Sequence, residues 1–328
     1  GEILQEKNKT DMLKIFHDDG TSFGDSWFQR FYKRYNLVSR KATTKMRDDI
    51  PKDFEILKEK YLNLYSYHIN HNNIPDELIT GFDETNVQLV PSIKRLRCLK
   101  GTKRVRVQGM GKEKPQFTCG IGCIATGEIL SPTQLIFGGK TNRCHPGKGK
   151  HKVKEGLYYT HTASHWQTPE TYIEYIKNVL IPYRLLIIKE KNLCETQKML
   201  HRHDLHYSHK APEVLKLLRE NNIISLYIPA GCTDIIQECD VVINKPFKDR
   251  VRNLFEKFLT AQHDEYLLKK LAPGGPKQFI VDLKESVMKP QLPTFVSEAI
   301  ISLIEIKPAI QKCFQKDGLL ELARDATR

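Results

Sequence analysis

Leu78-Ile79-Thr80-Gly81-Phe82-Asp83-Glu84-Thr85 is a short apolar run that stops on acids. It lies just after Pro75, and its β-branched and aromatic residues predict a strand over 78–82 that ends on Asp83. Downstream, 116–125 and 129–137 read as two further strands, with Thr126-Gly127 as the hairpin turn between them. Residues 140–155, rich in Gly, Lys and His, read as an exposed loop. Thr168-Pro169 then opens a helix with Tyr172, Ile173, Ile176, Val179 and Leu180 facing inward. A strand over 199–203 ends on Asp204, a helix begins near Pro212, and 223–228 is a strand closed by Pro229. A loop leads to Asp240, where a helix begins that buries Phe247, Val251, Leu254, Phe255 and Phe258. Strands alternating with helices predict an α/β fold, a mixed sheet with helices on its faces.

The flanks read differently. Residues 1–50 form a separate helical segment, in which Ser26 caps a helix with Trp27, Phe28, Phe31 and Tyr35 on its apolar face. Arg30, Lys33 and Arg34 fall away from that face, and a basic tail with Arg40 follows. The spacing fits the last helix of a helix-turn-helix unit and an ordinary amphipathic helix alike. A helical connector is expected over 51–77, the α/β domain over 78–262, and a small helical segment over 263–328, where Pro273-Gly274-Gly275-Pro276 and Pro293 interrupt the chain.

The 328 residues carry a net charge of +13. Its placement matters more than its size. From 94 to 154 there are 15 Lys or Arg against two acids, Glu113 and Glu128, which equals the whole excess. Such a block, with Lys103, Arg104, Arg106, Lys148, Lys150, Lys152 and Lys154, suits a polyanion as partner; a solvated basic face or a membrane surface are the alternatives. No run of about 18 apolar residues is present, so no membrane span is expected. The chain starts on Gly1 without a charged-then-apolar leader, and is read as a non-secretory fragment. None of the eight cysteines is paired at a two-residue spacing, which fits neither a zinc ribbon nor a disulfide framework, so reduced structural thiols are expected. His145, His161, His165, His206 and His209 show no His-x-x-x-His spacing with an acid, and zinc is not expected either.

Asp83 and Asp204 end predicted strands and Asp240 starts a helix after a loop, and sites in open α/β sheets sit at the carboxyl ends of strands. Three converging carboxylates either bind divalent cations or repel one another. Hard oxygen ligands favour Mg²⁺ or Mn²⁺, and two such ions can clamp the attacking and leaving oxygens of a phosphodiester displacement. Each Asp can equally be a turn or cap residue. Glu84, Asp234 and Glu238 are rival acids; Glu84 should point opposite to Asp83, and Glu238 competes with Asp240 for the third place.

At these residues the sequence resembles the DDE superfamily of transposases, in particular the pogo branch of the mariner-like group. The likeness is carried by Gly81-Phe82-Asp83-Glu84-Thr85, by Asp204-Leu205-His206-Tyr207-Ser208-His209, and by Gln237-Glu238-Cys239-Asp240 followed by Lys245-Pro246-Phe247-Lys248. Thirty-five residues separate Asp204 from Asp240. The helix around Trp27 is similar to the end of the DNA-binding helix-turn-helix of centromere protein B and pogo transposases. The resemblance implies a ribonuclease-H-like sheet, with Asp83, Asp204 and Asp240 holding two Mg²⁺ or Mn²⁺ ions and His209 and Gln237 supporting them. It also implies a nuclear protein, able to form a homodimer, that binds DNA through residues such as Arg30, Arg34, Arg40 and the basic block, and that cleaves transposon ends and transfers strands. A domesticated, catalytically idle DNA binder is the alternative. One departure bears on it: the second strand reads Leu200-His201-Arg202-His203 instead of being apolar. Arg202 shares a face with Asp204 if that strand is regular. Because a buried Arg is costly, Arg202 is expected at an edge or in a water-filled groove, unpaired with Asp204.

Overall fold

In the computed structural model the described residues are 25–35, 53–90, 106–108, 116–146, 153–270 and 280–316. The chain divides into two units, Gly1–Asp48 and Asp49–Arg328. In the first, helix α1 spans Asp25–Arg34, so Ser26 lies within its first turn instead of capping it. The expected residues Arg30 and Arg34 are exposed on α1, while Arg40 lies outside the described residues.

The second unit is built on a six-stranded sheet. Its strands are β1 (Ile79–Gln88), β3 (Gln116–Ile124), β4 (Thr133–Gly138), β5 (Leu157–Thr162), β6 (Met199–His203) and β7 (Ile223–Tyr227), in the order β5-β4-β3-β1-β6-β7. A short β2 (Arg106–Gln108) pairs with β8 (Ile280–Asp282) in a separate two-stranded sheet. On one side of β1, β3 and β4 form an antiparallel meander; on the other, β6 and β7 run parallel to it. This is the ribonuclease-H-like arrangement, with β5 added beside β4 in parallel.

Two expectations about the strands need correction. β1 does not end on Asp83: it stays paired with β3 as far as Gln88, whereas its pairing with β6 stops at Gly81. Asp83 therefore stands where β1 and β6 part, at the mouth of a fork and not at a strand end. β5 was not foreseen. Its burial along LYYTHT does not alternate, so it has no period of two to recognise.

Helices cover both faces. One face carries Phe82, His201 and His203, and is covered by α3 (Pro169–Tyr175), capped by a Thr168/Thr171 capping box. Tyr172 and Tyr175 of α3 lie 5.6 and 4.3 Å from the Phe82 ring. A π-helical turn, Ile176–Leu180, joins α3 to α4 (Ile181–Glu190). The other face carries Gly81 and Arg202, and is covered by α2 (Phe54–Asn72) through Tyr61 and Tyr65 and, near the C-terminus, by Phe314. Helix α5 (Pro212–Glu220) links β6 to β7, and α6 (Thr233–Ile236) follows β7.

A second π-helical turn, Cys239–Ile243, leads into α7 (Asn244–Lys270), and α8 (Glu285–Met288), α9 (Leu292–Ser302) and α10 (Lys307–Lys316) follow among the described residues. Both π turns lie just before a proline, Pro182 or Pro246. Proline has no N–H to give to the preceding turn, and the wider turn absorbs the missing bond. Two expected boundaries do not separate bodies. The 262/263 boundary falls inside α7, and Val296, Ala299, Leu303, Ile310 and Phe314 are buried in the same core as β1 and β6. Likewise α2, expected as a connector, buries Tyr61, Tyr65 and Ile69 in that core. Burial of each large side chain contributes roughly 1.5–3 kcal/mol, which fastens both segments to the sheet. Among the described residues, no helix is long and apolar enough to cross a membrane.

Candidate active site

Two of the three predicted acids are joined through one side chain. Asn244 Nδ2 donates to Asp83 Oδ2 at 2.8 Å and to Asp240 Oδ1 at 3.0 Å. A single amide thus bridges the two carboxylates, and these oxygens are at most 5.8 Å apart, the sum of the two bonds. Asn244 follows Asp240 by four residues through the second π turn, which turns both side chains toward β1. Gln237 anchors the approach: its buried Nε2 donates to the carbonyl of Phe82 at 3.0 Å, one residue before Asp83.

Asp204 follows the last residue of β6. Its Oδ1 accepts from the His206 amide at 3.0 Å and pairs with His209 Nδ1 at 3.0 Å, leaving Oδ2 outside both contacts. The other His209 nitrogen, Nε2, lies 3.0 Å from Glu84 Oε1. Burial alone would lower the His209 pKa, but Glu84 and Asp204 outweigh it and push it up to about 10, so the ring is an imidazolium held between two carboxylates. Asp204 shows the reciprocal effect: burial would raise it, and the hydrogen bond and charge of His209 bring it below the ordinary range.

Asp83 reports how closely the acids are gathered. Its carboxyl is pushed well above the ordinary carboxylate range, first by burial and then by Asp240, Glu84 and Asp204, with the Asn244 hydrogen bond opposing. Every acid of the predicted set acts on it. As expected, Glu84 takes the opposite face, toward His209, while Asp83 turns to Asn244. Glu84, His206 and His209 also bring ligand atoms within 4.8 Å of one another, but a charged imidazole has no lone pair to give a metal.

Arg202 departs from expectation in one respect and agrees in another. It is fully buried on β6, with no edge or groove to reach water. It pairs with the buried Glu238, not with Asp204. Its Nε donates to the Tyr61 hydroxyl at 2.7 Å and one NH₂ to the Ile236 carbonyl at 3.2 Å, and its guanidinium lies over the rings of Tyr61, Tyr65 and Phe314. A buried carboxylate and four polar or aromatic neighbours satisfy the charge that water would otherwise have held. Glu238, the rival for the third place, is therefore taken up by Arg202. The flanking His201 and His203 are neutral. Burial pushes His201 down to about 3 and His203 well below its ordinary value, each helped by the charge on His209. His201 pairs instead with Thr80 Oγ1 at 2.8 Å and the Tyr172 hydroxyl at 3.1 Å, and His203 with Ser225 Oγ at 2.7 Å.

The donor set suits hard divalent cations. It is made of carboxylate oxygens, with the Asn244 Oδ1 buried beside them without a hydrogen-bond partner among the described residues. Asn244 was missed from sequence, although its position four residues after an acid in a helical segment was a usable signal. Of the predicted DNA-contacting residues, Lys103, Arg104, Lys148, Lys150 and Lys152 lie outside the described residues, Arg106 is placed on β2 by its backbone alone, and Lys154 is partly buried. Asp234 is on α6, and its side chain is likewise outside the described residues.

Residues 114–281, just over half of the chain, match the family described as DDE superfamily endonuclease. That stretch contains Asp204 and Asp240 but not Asp83. The human "Pogo transposable element with ZNF domain" is 21% identical over 232 residues, covering 71% of this chain and 15% of that protein. The human "Pogo transposable element with KRAB domain" is 24% identical over 263 residues, covering 79% of this chain and 39% of that protein. The chain therefore spans well under half the length of these relatives. Among solved structures, the Mos1 mariner paired end complex with Mn is 12% identical with a TM-score of 0.43, over 91% of this chain and 79% of its own.

Proposed function

The chain belongs to the DDE superfamily endonuclease family, and from that membership we propose that it cleaves DNA phosphodiesters with two divalent cations held by Asp83, Asp204 and Asp240. The observation that carries this reading is the Asn244 bridge between Asp83 and Asp240, with Asp204 acting on the same buried carboxyl. Mg²⁺ or Mn²⁺ bound there would supply the positive charge that activates water and stabilises the leaving oxygen. The chain's own residues do the positioning. His209 holds Asp204 by Oδ1, and its second oxygen takes no part in that contact. Gln237 pins β1 beside Asp83. The Arg202–Glu238 pairing supports an active centre over an idle one, since Arg202 does not occupy the Asp204 oxygens a metal needs.

The wider reading extends to the whole protein. It acts in the nucleus on transposon ends, transfers the cut strand to target DNA, and works as a homodimer. Arg30, Arg34 and the basic block contact the DNA backbone, as their charge suits.

The test is nicking of a supercoiled plasmid by the full-length protein in Mg²⁺ or Mn²⁺. Nicked circles should accumulate. Asp83→Asn, Asp204→Asn and Asp240→Asn should each slow nicking about a hundredfold or more, with DNA binding in chelator nearly unchanged. DNA binding without nicking in either metal would favour the idle binder. Nicking that survives Asp240→Asn would remove Asp240 from the centre.

A further inference from the structure

We propose that Cys144, His145 and His161 bind one zinc-class ion at the β4–β5 edge of the sheet, apart from the carboxylate centre. One ligand atom from each residue, the Cys144 sulfur and a ring nitrogen of each histidine, lies within 4.8 Å of the others.

The fold brings them together from separate elements. His161 stands on β5 beside Phe137 of β4 in the parallel register. Beyond β4 the chain turns through Gly139 into a 3₁₀ turn, Asn142–Cys144, which returns Cys144 over the strand end. Gly139 makes room for it: a Cβ at this position would meet Cys144 Cβ at 2.5 Å and Sγ at 2.8 Å. His145 lies 5.2 Å from the His161 ring and 5.9 Å from both Phe137 and Tyr159.

Packing alone leaves one atom unexplained. His145 Nε2 is buried with no hydrogen-bond partner among the described residues, a costly state for a ring nitrogen. The Thr160 carbonyl acts on the ring to raise its pKa against burial and His161, as an acceptor facing a ring N–H does, so its other nitrogen carries the proton and Nε2 presents a lone pair. A backbone carbonyl in that role is the usual orienting partner of a metal-bound histidine. Burial raises the Cys144 thiol, and the Lys289 ammonium works against burial, toward the thiolate.

One thiolate and two imidazoles are a zinc-type donor set, with the fourth position left for water. Tetrahedral zinc separates such ligand atoms by roughly 3.3–3.6 Å, a closure within reach of side-chain rotation. The ion would tie residues 144–145 to 161 across the sequence that holds Lys148, Lys150, Lys152 and Lys154, and so fasten both ends of that basic run.

Cobalt(II) is the probe, because only a sulfur-containing site gives a thiolate-to-cobalt charge-transfer band. The full chain, reduced and stripped with chelator, is titrated with Co²⁺ and then with Zn²⁺. One cobalt per chain should produce the band, and zinc should displace it. Asp204→Asn should keep it, which separates this site from the carboxylate centre. Cys144→Ser should abolish it, and His161→Gln should weaken cobalt binding about tenfold or more. If circular dichroism shows Cys144→Ser to be misfolded, His145→Gln retains the thiol and must weaken binding as well. A parent protein without the band, or a folded Cys144→Ser that keeps it at full strength, overturns the site.

Discussion

Arg202 and Glu238 are each buried and each paired with the other, so neither can be removed alone without stranding a charge. Arg202→Leu should therefore destabilise the fold by about 3–5 kcal/mol, and Arg202→Leu with Glu238→Leu should recover most of the loss. Urea unfolding of the three variants checks this; a cost below about 1 kcal/mol for the single change would mean that Glu238 is not held as an anion. The same pair marks the limit of reading residues one at a time. That Arg202 would not pair with Asp204 was expected from burial cost, against the shared face that alternation gives, but the expected edge or groove is absent: its partner comes from the start of the second π turn, 36 residues on, and its cover from Tyr61, Tyr65 and Phe314. No local pattern connects those positions. The meeting of Asp83 and Asp240 at one amide was expected from the order of strands and loops together with the family resemblance, although Asp83 sits at a fork and not at a strand end, and Asn244 was within reach of the same reasoning.

At the scale of elements, the fork between β1 and β6 makes the site. β1 leaves β6 after Gly81 but keeps β3 to Gln88, so the Asp83 side of the strand opens toward the turn that bears Asp240. Gly81 is the pivot. A Cβ there would meet Glu238 Oε2 at 2.7 Å and Cys123 Sγ at 3.3 Å, and Glu238 cannot retreat without leaving Arg202. Gly81→Ala should cost about 1–3 kcal/mol by overpacking and slow any nicking by displacing the neighbouring Asp83. An unchanged urea midpoint would place the Glu238 carboxylate elsewhere. Most of these elements were visible from hydrophobic periodicity and turn residues, including the hairpin, α3 and β7, while β6 was read as a strand despite its polar run. β5 was hidden because it alternates poorly, and with it the meeting of His161 and Cys144, which belong to different elements and share no motif.

For the whole molecule, buried neutral histidines contribute to the response to acid. The His201 pKa, about 3 when folded, lies below its ordinary 6.5. The unfolded chain therefore takes up this proton first. The contribution to stability is complete above about pH 6.5 and is lost as pH falls toward 3, at up to about 1.4 kcal/mol per pH unit. His201→Gln should flatten the fall of unfolding free energy between pH 6.5 and 4, measured by urea titration at each pH; parallel slopes in parent and variant would show that His201 takes no part. The α/β class could be inferred from the order of elements, but not how far α2 and α9–α10 belong to the same core, because packing between distant segments leaves no periodic trace. The wide separation of the acids also bears on how the protein is made. Ribosomes release the N-terminal part first and domains fold as units, so Asp83 emerges long before its bridging amide at Asn244. On the proposed reading, a nascent chain, or one truncated before that point, lacks a complete carboxylate centre, so the capacity to cut comes only with the finished fold.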